Sequence, residues 1–388
     1  MKLNETRESL IEKTVQHFQD HFNAKPTHVV TAPGRLNVIG EHVDYNGGIV
    51  LPAAIERWFI GVLRANGDSK VRIFDCKFDE TITVDLDSPL APEKGSWMNY
   101  PKGVLAQFQK RGVKIPGFDL CIYSNVPTGG GVSSSAAFEA LTATIVEILT
   151  GSELELMEKA LLCQKAEHEF AGVPCGIMDQ AAVIMCKSQH LLKLDCRDLS
   201  VMDVPFTNDS LGLMVIDSNV HHELVDGAYA KRREACEKAC SEMGIESLRD
   251  ATVEAVKSFA FSDEIIRNRA LHVVSEIERT FALIKALEEG DYHTAGKSIM
   301  GSHESLRDLY EVSCPELDFI VAQCNAQESV YGSRIMGGGF GGSAIVLVEK
   351  TKAGEVADFI EKAYKAEYGL EASIFLTNPA HGVQWDTL

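Results

Sequence analysis

Positive charge is scarce in this chain: 37 lysines and arginines face 56 aspartates and glutamates, a formal net charge of −19. That balance leaves no basic face of the kind a general nucleic-acid binder or an anionic-membrane binder needs, so neither partner is expected. A polyanionic ligand would need local help from backbone amides, a few basic side chains and a metal. Long apolar runs are missing too, and the N-terminal Met-Lys-Leu-Asn-Glu-Thr-Arg-Glu is too charged for the core of a signal peptide. The ten cysteines include no CxxC pair, and the closest two, Cys236 and Cys240, fall on one helical pattern. Scattered thiols without a signal peptide read as reduced, which implies a cytoplasmic protein. Glu167-His168 and His221-His222-Glu223 lack the HExxH spacing, which argues against zinc. There are no internal repeats and no low-complexity tracts.

What is present is an ordinary globular composition, 45% hydrophobic and 24% charged over 388 residues. That is long enough for two domains with separate cores. The stretch that organises the chain is Asn125-Val-Pro-Thr-Gly129-Gly130-Gly131-Val132-Ser133-Ser134-Ser135-Ala136. An alternating apolar run at 118–124 leads into it. A helical pattern with Phe138, Leu141, Ile145, Ile148 and Leu149 on one face leads out, closed by Gly151. Glycines let backbone approach a ligand, and amides at a helix start favour an anion. A phosphate cradle and a serine-capped turn are both open readings here. A Walker A loop is excluded, because no lysine lies between Gly129 and Ala136, and a Rossmann turn is excluded by Ser134 at the third glycine position.

Around this centre the spacing predicts helices at 4–22, 97–108, 152–170, from Ile177 onward, 226–243, 263–289, 315–325 and 352–367. Short strands are expected at 29–30, 82–86, 191–194, 211–216 and 373–377. The runs 59–64 and 70–74 flank Ala-Asn-Gly-Asp, a hairpin signal. A boundary near residue 200 divides the chain into 1–200 and 201–388. The segment 32–48 crowds Arg35, Glu41, His42 and Asp44 among turn-forming residues, and it reads equally as a hydroxyl-binding loop or a solvated turn. Asp179 sits near a helix start, where capping is the ordinary role of an aspartate. Gly337, Gly339 and Gly342 satisfy GxGxxG, but a β run follows where a dinucleotide fingerprint needs a helix.

Three of these segments together resemble the motifs of the GHMP small-molecule kinases: Pro127 to Ala136 as the phosphate loop, Gly337 to Gly342 as the third motif, and the 34–46 segment as the first. The last, Gly34-Arg35-Leu-Asn-Val-Ile-Gly-Glu41-His42-x-Asp44-Tyr-Asn46, is similar to the sugar-binding signature of galactokinases. Trp97-x-Asn99-Tyr100, Gln164-x-Ala-Glu167-His168, Cys175-Gly-Ile-Met-Asp179-Gln180, Tyr229-x-x-Arg232-Arg233-x-x-Cys236 and Ser302-His303-x-Ser-Leu-Arg-Asp308 extend the likeness over almost the whole chain. Val43, Val132, Met336, Ser343 and Leu309 depart from the family pattern without removing a proposed catalytic or metal-binding group.

The resemblance implies an α+β fold: an N-terminal domain like domain 2 of ribosomal protein S5, then a ferredoxin-like domain, with the active site between them. It implies ATP-dependent phosphorylation of galactose at C1, within galactose metabolism, by a monomer. Galactose would be bound by Glu41, His42, Val43, Asp44, Gly176 and Tyr229, with Asp179 and Arg35 catalytic. ATP would lie along Gly129, Gly130, Gly131, Val132, Ser133, Ser134 and Ser135, beside Trp97. Ser135 and Glu167 would hold Mg²⁺, a hard ion suited to oxygen ligands. A kinase for a related sugar such as N-acetylgalactosamine, or a galactose- and ATP-binding regulator descended from a kinase, are the alternatives.

Overall fold

The computed structural model describes residues 5–221 and 227–388, apart from the side chains of residues 221, 228 and 229. The first half runs α1 (Arg7–Phe22), β1 (His28–Asn37), β2 (Ile49–Val50), β3 (Pro52–Ala65), β4 (Lys70–Asp75), β5 (Glu80–Asp85), α2 (Asn99–Lys110), β6 (Phe118–Ser124), α3 (Ser134–Thr150), α4 (Leu156–Ala166), α5 (Met178–Met185), β7 (His190–Asp195) and β8 (Val201–Pro205). The second half runs β9 (Leu211–His221), α6 (Ala228–Met243), α7 (Val253–Ser258), α8 (Glu264–Glu289), α9 (Tyr292–Asp308), α10 (Pro315–Asn325), β10 (Val330–Met336), β11 (Gly341–Glu349), α11 (Ala353–Tyr368), β12 (Ser373–Thr377) and β13 (Gln384–Thr387).

A six-stranded sheet, in the order β13-β1-β3-β6-β4-β5, forms the floor of the first half. Alternation along β3 explains its two covered faces. Ile60 and Val62 meet Leu10 and Phe18 of α1, while Leu63 joins Leu105, Phe108 and Leu141 from α2 and α3 on the other side. Phe59 stacks on Phe138 of α3 with ring centroids 4.6 Å apart. A four-stranded antiparallel sheet, β10-β11-β9-β12, carries the second half. Its alternate residues also face two ways. Leu213, Val215 and Ile345 pack with Leu283 and Ile299, and Met214, Ile216 and Val346 pack with Leu317 and Ile360.

Two expectations are corrected. The runs 59–64 and 70–74 do not pair as a hairpin, because β6 lies between them, antiparallel to β3 and parallel to β4. Gly117 ties that arrangement at one end: its N–H reaches Asp68 O at 2.8 Å and its carbonyl accepts from Asn66 N at 3.1 Å. With Phe118, Leu120, Cys121 and Ile122 all buried, β6 belongs at the centre of a sheet. The strand expected at 29–30 continues to Asn37, so Arg35 lies on β1, opposite Ala54 and just past a bulge after Pro33. The expected boundary at 200 lies within the three-stranded sheet β2-β7-β8. It falls between β7 and β8, which pair with each other, and β13 returns to the first sheet beside β1.

Candidate active site

Two cavities meet where the two halves touch. The larger, about 790 Å³, is walled by Trp97, Phe138, Gly129, Gly131, Val132 and Ser133 to Ser135. The smaller, about 190 Å³, is lined by Glu41, His42, Asp44, Glu167, Cys175 and Gly176. Arg35, Asp179, Gly337 and Gly338 line both, so they stand at the junction.

The Gly129–Ser135 segment folds as its glycines require. Gly129 and Gly131 take φ of 78° and 68°, and Ser133, the residue before α3, is also left-handed at 57°. A serine in that region carries strain of about 1 kcal/mol or more, which surrounding contacts must offset. Its hydroxyl does not cap the helix. It donates instead to Asp179 Oδ2. The run after β10 closes over the loop: Ser343 Oγ donates to Gly130 O at 2.6 Å, and a Cβ on Gly337 would lie 3.4 Å from Gly131 Cα. Backbone thus meets backbone across the two halves.

Arg35 and Asp179 form a forked pair, with Nε to Oδ1 at 2.9 Å and Nη2 to Oδ2 at 2.8 Å. The remaining arm of the guanidinium donates to Gly131 O, which ties the pair to the glycine loop. Such two-point contacts fix direction as well as charge. Asp179 is in the first turn of α5 and half-buried, yet its carboxylate faces the junction. The capping role open to it in the sequence is not the one it takes.

The other carboxyls crowd the same region. Burial first, then the charge of Asp179, push Asp44 up to about 7. The same two causes raise Glu167 to about 7. Glu139, on α3 and fully buried, is raised well above the carboxylate range by burial and then by Glu167. Gln180 bridges the last two, donating to Glu167 at 2.6 Å and Glu139 at 3.0 Å, and Glu139 Oε1 has no hydrogen-bond partner among the described residues. His42 is lowered to about 3, chiefly by burial, and so is neutral. Its Nδ1 lies 2.9 Å from the Tyr45 hydroxyl. Gly176 is pressed so close to Asp44 that an added Cβ would fall 1.8 Å from Oδ2.

Most residues expected from the sequence therefore line one cavity or the other. Val43 does not: its side chain is wholly buried and packs over Gly48, so it supports the segment and does not face the smaller cavity. The side chain of Tyr229 lies outside the described residues. Glu167 is helical as expected, but in a π-turn, Glu167–Ala171, that follows α4. Sequence reading assigned no role to Glu139, Gln180, Glu276, His272 or Arg334. Only Arg334 left a signal, as a charged residue inside a strand-like run.

Family comparison places this geometry among known proteins. The galactokinase galactose-binding signature matches residues 16–65, the GHMP kinases N terminal domain 99–187 and the GHMP kinases C terminal domain 283–366. The chain is 40% identical to a Bos taurus galactokinase over 384 residues, covering 97% of this chain and 96% of that one. It is 38% identical to a Thermotoga maritima galactokinase over 355 residues, covering 92% and 99%. A crystal structure of Lactococcus lactis galactokinase complexed with galactose superposes with a TM-score of 0.93 at 32% identity, covering 96% and 99%. A Methanococcus jannaschii mevalonate kinase, at 18% identity and a TM-score of 0.67 over 91% of this chain and 98% of that one, shares the fold.

Proposed function

The chain belongs to the galactokinases of the GHMP kinase family, and from that membership we infer that it transfers the γ-phosphoryl group of ATP to the anomeric C1 hydroxyl of galactose, giving galactose 1-phosphate and ADP. The observation that carries this reading is the Arg35–Asp179 pair at the junction of a large cleft and a small polar cavity. Phosphoryl transfer asks mainly for positioning and charge neutralisation. ATP takes the larger cavity, its base near Trp97 and Phe138 and its phosphates on the amides of Gly129 to Ser135. Galactose takes the smaller one, with hydroxyls donating to Asp44 and Glu41 and its ring beside His42 and Gly176. Asp179 accepts the proton of the attacking hydroxyl, and Arg35 stabilises the charge that develops as the bond forms.

The residues present suit a magnesium ion. Asp44, Glu139 and Glu167 all feel the charge of Asp179, and Asp44 and Glu167 are lifted to about 7 by burial and by that charge. A hard divalent cation would offset that surplus of negative charge, and Ser135 and Glu167 are the oxygen donors that would hold it. Held there, it would supply charge neutralisation for the phosphates of ATP. Ten free thiols fit a cytoplasmic setting, in which the protein acts as a monomer. No helix among the described residues is long and apolar enough to cross a membrane.

The test is ADP release by the purified protein, read in a coupled assay with galactose, glucose and N-acetylgalactosamine. Galactose should give the highest kcat/KM, while preference for N-acetylgalactosamine would reassign the sugar. Release that does not rise with any sugar would point to a binding protein. Asp179→Asn should lower kcat by ~10²–10⁴-fold, the usual contribution of a positioned base. Its galactose affinity, by calorimetry, should stay near the parent value.

A further inference from the structure

The wall of the smaller cavity is held from behind. Three side chains from the second half, none lining either cavity, grip the segment between Asn37 and Glu41. Arg334 of β10 is fully buried. Its Nε donates to Val38 O at 2.9 Å, Nη2 to Asn37 O at 2.6 Å, and Nη1 to Ile335 O at 2.6 Å and Glu41 Oε2 at 2.8 Å. Glu276 of α8, also fully buried, accepts on Oε1 from the amides of Gly40 at 3.1 Å and Glu41 at 3.3 Å. Ser302 Oγ donates to the same oxygen at 2.6 Å, and Arg279 Nε donates to Oε2 at 2.8 Å. His272, one helical turn before Glu276, has Nε2 3.1 Å from Glu41 O, while Nδ1 lies 2.8 Å from Ser305 Oγ. The amide, carbonyl and carboxylate of Glu41 are thus each held by a different residue.

A buried arginine whose fork is spent on three carbonyls and one carboxylate is costly to place unless every arm is matched. Here every arm has a partner, and one of those partners, Glu41, lines the smaller cavity, with Asn37 and Val38 in the segment that leads to it. We propose that Arg334, Glu276 and His272 are positioning residues for the sugar: they set the backbone and carboxylate of Glu41, and through them the adjoining His42, at the spacing the sugar hydroxyls require. The proposal rests on the reading that the smaller cavity takes the sugar. None of the three touches the glycine loop or Asp179, so their effect falls on sugar affinity and leaves ATP binding and the chemical step almost unchanged. The second half of the chain then selects the sugar through residues that never meet it.

Arg334→Lys keeps a positive charge but loses the fork. It should raise the galactose KM and the calorimetric Kd by roughly ten- to a hundredfold, the equivalent of one lost charge-assisted hydrogen bond. KM for ATP and kcat at saturating galactose should stay within about threefold of the parent. His272→Leu and His272→Gln form an independent pair, usable even if the arginine variant does not fold. Leucine removes the group facing Glu41 O and should raise the galactose KM, and glutamine, which can donate there, should restore most of the loss. Equal changes in both Michaelis constants, or a fall in thermal stability with the galactose KM unmoved, would overturn the proposal. If the unmodified protein neither binds galactose nor releases ADP with it, the underlying reading fails instead, so the two failures are distinguishable.

Discussion

At the scale of single residues, the role proposed for Asp44 couples charge to recognition. It is half-buried and shares the site with Asp179, so its carboxyl titrates near neutrality, at about 7. As an acceptor for a sugar hydroxyl it serves best when ionised. The galactose KM is therefore expected to rise as pH falls through 7, and Asp44→Asn should show a KM raised about tenfold with that pH dependence gone. Kinetics between pH 6 and 8.5 at saturating ATP check both outcomes, and a pH-independent galactose KM in the unmodified protein would count against the role. The residue types of the site were legible in the sequence as a set of motifs, because Arg35, Glu41, His42 and Asp44 stand close together in one segment. The contacts among them were not. Nothing local to Gly176 announces that Asp44 Oδ2 occupies the space its Cβ would fill, and nothing at Asp179 reveals a partner 144 positions away. Glu139 and Gln180 were missed for a plainer reason: they sit on helical faces where a polar residue ordinarily meets water.

At the scale of elements, helices with a strong apolar stripe and a glycine stop were read well. Helix α8 ends at Gly290 and α3 at Gly151, both left-handed caps. Helix α9 was overlooked, since Tyr292–Asp308 is rich in small and polar residues and presses on β10 through Gly296, which lies against Tyr331 and Gly332. Strand partners were the least legible feature, because pairing is decided by which run can be buried on both sides. The loop between β6 and α3 allows a sharper expectation. Gly130 lies against Asp217 of β9, where a Cβ would sit 2.7 Å from Oδ2. Gly130→Ala would displace the Asp217 carboxylate or push the loop away from it, disturbing the amides proposed to hold the phosphates. Its KM for ATP should rise roughly tenfold, the scale of one or two weakened hydrogen bonds. Galactose affinity measured without nucleotide should hardly change.

At the scale of the whole molecule, the halves are laced together by β13 beside β1 and by the glycine runs across the site. A single calorimetric unfolding transition is expected, shifted upward by galactose at 100 times its Kd by about 2.7 kcal/mol. Two separate transitions would show that the lacing is weak. Acid should act on this transition in two stages. His272 and His42 are lowered to about 4 and 3, mainly by burial, so stability is lost as pH falls from 6.5 toward those values. Asp44 and Glu167, raised to about 7, return stability over the same interval as they take up protons. Below pH 4.5 that compensation is used up. Burial favours the neutral form of Glu276, but Arg279 and His272 outweigh it and hold the carboxyl at about 2. Its protonation then only destabilises, so the melting temperature should change little from pH 7 to 5 and drop steeply below 4.5. The short strand β13 has one more consequence. Its four exposed residues cover the first four of β1, whose other flank is taken by β3. A chain cut ahead of residue 384 would present that bare strand edge to its surroundings, a template for a second copy. Such a protein is expected to keep its substrate sites and yet stick to itself, visible as light scattering that grows with concentration.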